Sequence, residues 1–308
     1  MMSTGTIEDR IEELKERRNA VLLVHNYQRP ELQEMADYLG DSLGLSREAA
    51  HSDAEVIVFC GVHFMAETAS ILCPDKTVLI PDPKSGCPMA DMVTAEELRE
   101  LKREHPDAVV VCYVNSTAEV KAESDLCCTS ANATQIVESI DPDRPVIFVP
   151  DKYLGRWTAL KTGRDLILWE GYCSTHASIT PTDVERAREK HPDAELVVHP
   201  ECLTEVSRMA DAVESTSGMC RFAARTQAEE IIVGTEIGLI ERLRRENPDK
   251  TFYPVTSAAV CPNMKLHTPE KVLWSLEEME TRVSVSDDIA QRARGAIDAM
   301  VEIGRETE

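Results

Sequence analysis

The 308-residue chain lacks several things, and each absence excludes a class of protein. It has no run of about eighteen apolar residues, which excludes a membrane-spanning helix. It has ten cysteines but no C-x-x-C pair, so the spacing of a zinc ribbon or a thioredoxin-type redox site is missing. Positive charge is short: 33 Lys and Arg stand against 55 Asp and Glu, a formal net charge of −22. No basic stripe is available to displace phosphate counterions, so no nucleic-acid partner is expected. The acidity reads as a solvated surface, and an anionic ligand has to be held by local cations and helix ends. The start, Met1 to Asp9, carries no basic residue and is not expected to be a secretory signal. A cytoplasmic location follows as the expectation, and there ten cysteines do not read as a disulfide framework.

What is present is a threefold internal repeat. His25-Asn26-Tyr27 aligns with Tyr113-Val114-Asn115 and with His199-Pro200-Glu201, at steps of 88 and 86 residues. A hydroxyl follows seventeen residues later in each copy: Ser42, Ser130 and Thr216. A cysteine follows about 44 residues after that: Cys87, Cys173 and Cys261. Between the first two landmarks, Glu31, Glu119 and Glu205 align, then Leu32, Val120 and Val206, then Asp37, Asp125 and Asp211. The turns His105-Pro106-Asp107-Ala108 and His191-Pro192-Asp193-Ala194, 86 residues apart, give the same register. A repeated unit contributes the same corner to a shared centre.

Each copy alternates helices with apolar strands. In the first, a charged helix over 7–18 leads to a buried strand over 20–24 that ends at His25. Leu32, Met35 and Leu39 at i, i+3, i+7 predict an amphipathic helix over 31–39. A strand over 56–59, a helix over 64–72 and a strand over 77–80 follow. Thr94 and Glu97 form a capping box that opens the second copy, and Thr268-Pro269 starts a final helix. Such alternation implies parallel sheets covered by helices on both faces. The expected fold is α/β: three homologous three-layer α/β/α domains about a pseudo-threefold axis, at 1–92, 93–178 and 179–266, with a C-terminal helical segment at 267–308. Ligands gather beyond the carboxyl ends of parallel strands, where His25, Tyr113 and His199 stand.

Three columns then carry chemistry. Cys87, Cys173 and Cys261 meeting on an axis suit an iron–sulfur cluster with one iron left without a protein ligand, and an open metal position acts as a Lewis acid. Buried core thiols, or a zinc site with His176 as fourth ligand, are the alternatives. The other seven cysteines fall outside the register, mostly in or beside apolar elements. Ser42, Ser130 and Thr216 stand just before helices, whose N-termini bind carboxylate or phosphate, although plain capping would place them there too. His25, Asn26, Tyr27, Tyr113, Asn115, His199 and Glu201 differ between copies at matching positions, as an asymmetric substrate on a symmetric scaffold requires. Lys84, Arg221 and Lys265 flank the site as candidate partners of an anion. His105 and His191 read as charges at helix C-termini, and His51 and His267 as exposed.

The segments Val24-His25-Asn26-Tyr27, Cys112-Tyr113-Val114-Asn115-Ser116, Val198-His199-Pro200-Glu201-Cys202, Ser215-Thr216-Ser217-Gly218-Met219 and Cys261-Pro262-Asn263-Met264-Lys265, in that order, resemble the quinolinate synthase family. The resemblance covers nearly the whole chain. It implies three homologous α/β domains and one [4Fe-4S] cluster held by Cys87, Cys173 and Cys261, in the compact three-cysteine form. It implies condensation of iminoaspartate with dihydroxyacetone phosphate to quinolinate, losing phosphate and water, in de novo NAD synthesis. An aspartate oxidase or aspartate dehydrogenase is then the functional partner. His25, Ser42, Tyr113, Asn115, Ser130, His199, Glu201 and Thr216 would line the substrate pocket. Tyr27 and the two histidines would move protons, with Glu201 as base. Another iron–sulfur hydro-lyase, or a zinc-stabilised binding protein, remains as the competing reading.

Overall fold

The computed structural model describes residues 5–303; the first four residues of the expected first domain and of the polar start, and the last five of the expected C-terminal segment, lie outside them. Three sheets are built from strands in sequence order. The first holds β1 (Ala20–His25), β2 (Tyr38–Gly40), β3 (Val56–Cys60) and β4 (Thr77–Leu79). The second holds β5 (Val109–Tyr113), β6 (Leu126–Cys128), β7 (Val146–Val149) and β8 (Ile167–Leu168). The third holds β9 (Glu195–Val198), β10 (Ala212–Val213), β11 (Glu230–Gly234) and β12 (Thr251–Pro254). Each sheet has the same order, second–first–third–fourth, with all four strands parallel. The α/β class with three parallel-dominated sheets is therefore the observed fold.

The C-terminal segment is more than one helix. Helix Pro269–Glu278 leads to β13 (Arg282–Val283), which pairs antiparallel with β4 at the edge of the first sheet. Helix Asp287–Ile303 then buries Ala293, Ala296, Ile297 and Met300 across helices of the first two units. Its Met300 carbonyl accepts from Asn132 Nδ2 at 2.9 Å, and its Arg294 donates to the carbonyls of Ile71 and Leu72.

Side-chain alternation along the strands explains the layers. Val21 and Leu23 of β1, the whole of β5 and Val197 of β9 share one central apolar cluster. Leu22 and Val24 face the other way, onto Ile11, Leu14, Val272 and Leu276. Leu196 and Val198 likewise pack outward on Val184. A parallel sheet buried on both faces has to be apolar at successive positions, as these strands are.

Two repeated devices fix each unit. The Asp37 carboxylate accepts the Leu22 N–H at 2.7 Å, Asp125 that of Val110 at 2.7 Å, and Asp211 that of Leu196 at 2.8 Å. In each case the aspartate's own N–H donates back to the same residue's carbonyl. This clamp lays the chain beside the first strand and corrects the helix expected over 31–39: only Pro30–Glu34 is helical, and Tyr38–Gly40 is β2. The i+7 match of Leu39 was coincidental with its place in the sheet. The second device is a cation beneath the helix that precedes the third strand. Lys76 Nζ donates to the carbonyls of Ala49 and Ser52, Arg164 Nη1 to those of Val137 and Ile140, and Lys250 Nζ to those of Ala223 and Thr226. A cation at a helix C-terminus stabilises it, and the opposite end is left to face the centre.

Candidate active site

The carboxyl ends of the strands converge on one cavity of about 140 Å³. Its wall contains all the residues expected to act: His25, Tyr27, Ser42, Tyr113, Asn115, Ser130, His199, Glu201, Thr216, and the cysteines Cys87, Cys173 and Cys261. Glu201 is the hub. Its side chain is 3 % exposed and accepts the Tyr113 hydroxyl at 2.5 Å, while its other oxygen lies 2.6 Å from His176 Nδ1 and 3.8 Å from His199 Nδ1. His176 Nε2 in turn meets Thr235 Oγ1 at 2.8 Å, and Thr235 meets the Tyr27 hydroxyl at 2.6 Å. A continuous polar chain thus runs from Tyr113 through Glu201, His176 and Thr235 to Tyr27.

Burial alone would raise the Glu201 carboxyl, but the electrostatic pull and hydrogen bond of His176, with the hydrogen bond from Tyr113, hold it at about 2. His25 and His199 are pushed down to about 3, chiefly by burial, so both rings are neutral. Their tautomers follow from geometry. His25 Nδ1 accepts the Tyr27 N–H at 3.2 Å, and His199 Nδ1 accepts the Glu201 N–H at 3.3 Å, so each ring carries its proton on Nε2. His199 Nε2 then donates to Ser130 Oγ at 3.2 Å. Tyr27 and Tyr113 are raised well above the ordinary tyrosine range by burial and by the charge of Glu201, so both keep their protons.

None of the three column hydroxyls stands at a helix cap. Asp41 and Ser215 cap helices Ser42–His51 and Thr216–Arg225, accepting the N–H of Gly44 at 2.9 Å and of Gly218 at 3.1 Å. Ser42 and Thr216 are the first helical residues, so capping does not occupy their hydroxyls. Ser130 precedes its helix, Ala133–Glu138, by three residues, with Asn132 at the cap. The buried Asn115 Oδ1 has no protein partner among the described residues. An unpaired buried acceptor in a cavity wall suits a ligand that brings an O–H or N–H.

The ten cysteines are all free. Cys87, Cys173 and Cys261 are half-buried at the cavity, one from the final loop of each sheet, whereas Cys60, Cys73, Cys112, Cys127, Cys128 and Cys202 are buried elsewhere. Each wall cysteine opens a short helical turn whose backbone N–H groups reach its sulfur: Ala90 for Cys87, His176 for Cys173, Met264 for Cys261. Burial pushes the Cys87 thiol up to about 12 and raises the other two. Such thiols ionise when a metal cation lies against them, and inward N–H groups then support the thiolates. This donor set fits a metal group. Cys173 has a second possible partnership, since its sulfur, His176 and Glu201 offer ligand atoms all within 4.8 Å of one another.

The chain's likenesses name a family. The family model described as quinolinate synthetase A protein matches residues 9–302. The curated quinolinate synthase of Dehalococcoides mccartyi strain 195 is 57 % identical over 302 residues, covering 98 % of this chain and 100 % of that protein. That of Thermodesulfovibrio yellowstonii is 54 % identical, covering 97 % and 99 %, and that of Methanosarcina barkeri 52 %, covering 98 % and 99 %. The chain belongs to the quinolinate synthase family. It is an enzyme of that family, and none of its described helices is long and apolar enough to cross a membrane.

Several features of this site are not legible in the sequence. Thr235, Asp151 and Glu236 come from the ends of the third strands. Asp151 Oδ2 accepts the Cys173 N–H at 3.1 Å and Glu236 Oε1 the Cys261 N–H at 3.1 Å, so two of the cysteine loops hang on buried carboxylates. His176, a candidate zinc ligand by its spacing three residues after Cys173, instead joins Glu201 to Thr235. His267, expected to be exposed, is fully buried: its Nε2 lies 2.6 Å from the Gly61 carbonyl, and burial lowers it to about 4. It ties the loop after Cys261 to the first sheet. Lys84 and Arg221 are exposed and away from the wall, and Lys265 is held by Glu236 at 3.1 Å and by the Tyr27 carbonyl. Among the described residues no lysine or arginine lines the cavity. His105 and His191 do cap helix C-termini, and His51 is exposed.

Proposed function

We propose that this chain is a quinolinate synthase that condenses iminoaspartate with dihydroxyacetone phosphate to quinolinate, losing phosphate and water, as a step toward NAD. In this reading it works in the cytoplasm and takes its imine from an aspartate oxidase or aspartate dehydrogenase. The observation that carries it is the convergence of one cysteine from each of three like sheets on a cavity whose other polar residues are not the same set in any two sheets. The family membership and the names of its relatives support the same activity.

Cys87, Cys173 and Cys261 would hold a [4Fe-4S] cluster. When bound, the cluster supplies Lewis acidity at the one iron that lacks a protein ligand. The chain's own residues do the rest. The free N–H groups at the starts of helices Ser42–His51 and Thr216–Arg225, with the Ser42, Ser130 and Thr216 hydroxyls, receive the substrate carboxylates and phosphate. Asn115 Oδ1 accepts from a substrate hydroxyl or nitrogen. Glu201, ionised and fixed, is the acceptor for a proton leaving carbon. Tyr27, protonated, and the Nε2–H of His25 are donors for hydroxyls that depart as water, while the Nε2–H of His199 orients Ser130. His176 and Thr235 link Glu201 to Tyr27, so a proton gained at one end is returned at the other.

One observation favours a second metal reading. The tight Cys173, His176 and Glu201 group suits a single ion such as zinc, in a binding protein without turnover. The deciding experiment is iron and acid-labile sulfide per chain on protein purified without oxygen, followed by an assay for quinolinate. About four of each with formation of the pyridine ring supports the synthase. One zinc and no product supports the second reading. A full cluster without ring closure on both substrates points to another iron–sulfur hydro-lyase and overturns the proposed reaction.

A further inference from the structure

The substrates of the proposed reaction are anions, yet no lysine or arginine among the described residues lines the cavity, in a chain of net charge −22. The hydrogen-bond pattern behind the wall resolves this. Asn26 is fully buried. Arg242, on helix Leu239–Glu246 of the third unit, donates through Nη1 to Asn26 Oδ1 at 2.7 Å and to the Leu39 carbonyl at 3.0 Å, and its Nε is held by Glu246 at 2.7 Å. A guanidinium only donates, so the amide oxygen has to face it. The amide nitrogen is thereby turned toward Thr216, and Asn26 Nδ2 donates to Thr216 Oγ1 at 2.8 Å. The Thr216 hydroxyl, which has no other protein partner among the described residues, keeps its single proton for the cavity.

The same logic recurs at Ser130. The backbone N–H of Glu201 fixes the His199 tautomer, His199 Nε2 donates to Ser130 Oγ, and the serine proton is left free. Two of the three column hydroxyls are thus forced to be donors toward the ligand. We infer that Arg242 is a positioning residue for anion recognition: through Asn26 it sets the direction of the Thr216 O–H, so that Thr216 donates to a substrate carboxylate or phosphate. Arg242 never touches that anion. Without it the Asn26 amide is free to turn over, the Thr216 proton goes to the amide oxygen, and the lone pairs of the hydroxyl face the anion.

The inference rests on the synthase reading, and the experiment separates the two. Steady-state constants are measured for both substrates on cluster-loaded enzyme. Arg242→Leu is expected to raise KM for one substrate about tenfold or more, as loss of a hydrogen bond to a charged group does, with kcat within about twofold. Arg242→Lys, which still donates to the amide oxygen, is expected to restore most of the affinity. Thr216→Val is expected to raise the same KM, and adding Arg242→Leu to it to change nothing further; a merely structural role for Arg242 would add its own loss. If Arg242→Leu does not fold, Asn26→Asp decides, because a carboxylate accepts from both neighbours and pulls the Thr216 proton away from the cavity. An unchanged KM in Arg242→Leu or Asn26→Asp, or additive effects in the double variant, overturns the inference while leaving the synthase standing. Wild-type enzyme that carries its cluster and makes no quinolinate overturns the reading beneath it.

Discussion

Glu201→Gln tests the centre of the site. The carboxylate is buried and ionised, with Tyr113 at 2.5 Å and His176 at 2.6 Å. The glutamine has nearly the same shape but no charge, and its amide nitrogen has to face one of those two partners. The distance from an ordinary carboxyl at 4.5 to about 2 measures how strongly the folded protein prefers the charged form, and corresponds to about 3 kcal/mol. Because the folded value is depressed, this stability is complete above pH 4.5 and is lost as the pH falls through 2. In urea unfolding, wild type is therefore expected to exceed the variant by about 3 kcal/mol at pH 7 and by less than half of that at pH 3. Turnover is expected to fall about 10²- to 10⁴-fold, the contribution of a placed proton-transfer group, while substrates still bind. A variant that unfolds with wild-type stability at pH 7 would show that the electrostatic hub is illusory. One that binds substrates and forms quinolinate at the normal rate would remove Glu201 from the proton path.

Other perturbations read different parts of the structure. Serine at Cys87, Cys173 or Cys261 is expected to abolish iron retention after anaerobic reconstitution, whereas Cys220→Ser, half-buried outside the cavity wall, keeps it; metal analysis checks this. His25 and His199 stay neutral in the fold down to about 3 but take protons from 6.5 downward when unfolded, so stability should drop as pH falls from 6.5 toward 3, by up to about 5 kcal/mol for each ring. Denaturant curves of His25→Asn and His199→Asn should show a correspondingly flatter pH dependence. At Gly171 a Cβ would lie 2.5 Å from the Pro150 carbonyl oxygen, a backbone atom that cannot swing aside. Gly171→Ala should therefore cost about 1–3 kcal/mol, seen as a lower Tm, and displace the loop to Cys173, seen as lower iron content.

The register made the scaffold readable, because each unit solves the same folding problem with the same residues. It also made the cysteine and hydroxyl columns readable, since position alone places them at the strand ends. A column does not say what its side chain meets. Asp37, Asp125 and Asp211 repeat as faithfully as the cysteines, yet each clamps a strand of its own unit and none reaches the cavity. Asp151 and Glu236 do matching work on two cysteine loops and stand at equivalent positions after the third strands, but 85 residues apart, one short of the 86-residue step of the first strands, so the sequence register misses them. The functional contacts share a property that sequence spacing cannot express: they cross between units. Asn26 reaches Thr216, Tyr27 reaches Thr235, Tyr113 reaches Glu201, and His199 reaches Ser130. A repeated residue whose bonds close within its own unit serves the fold. One whose bonds are completed by a neighbour depends on all three units being in place, and it is there that the copies differ and that an asymmetric ligand can be told from its mirror arrangement.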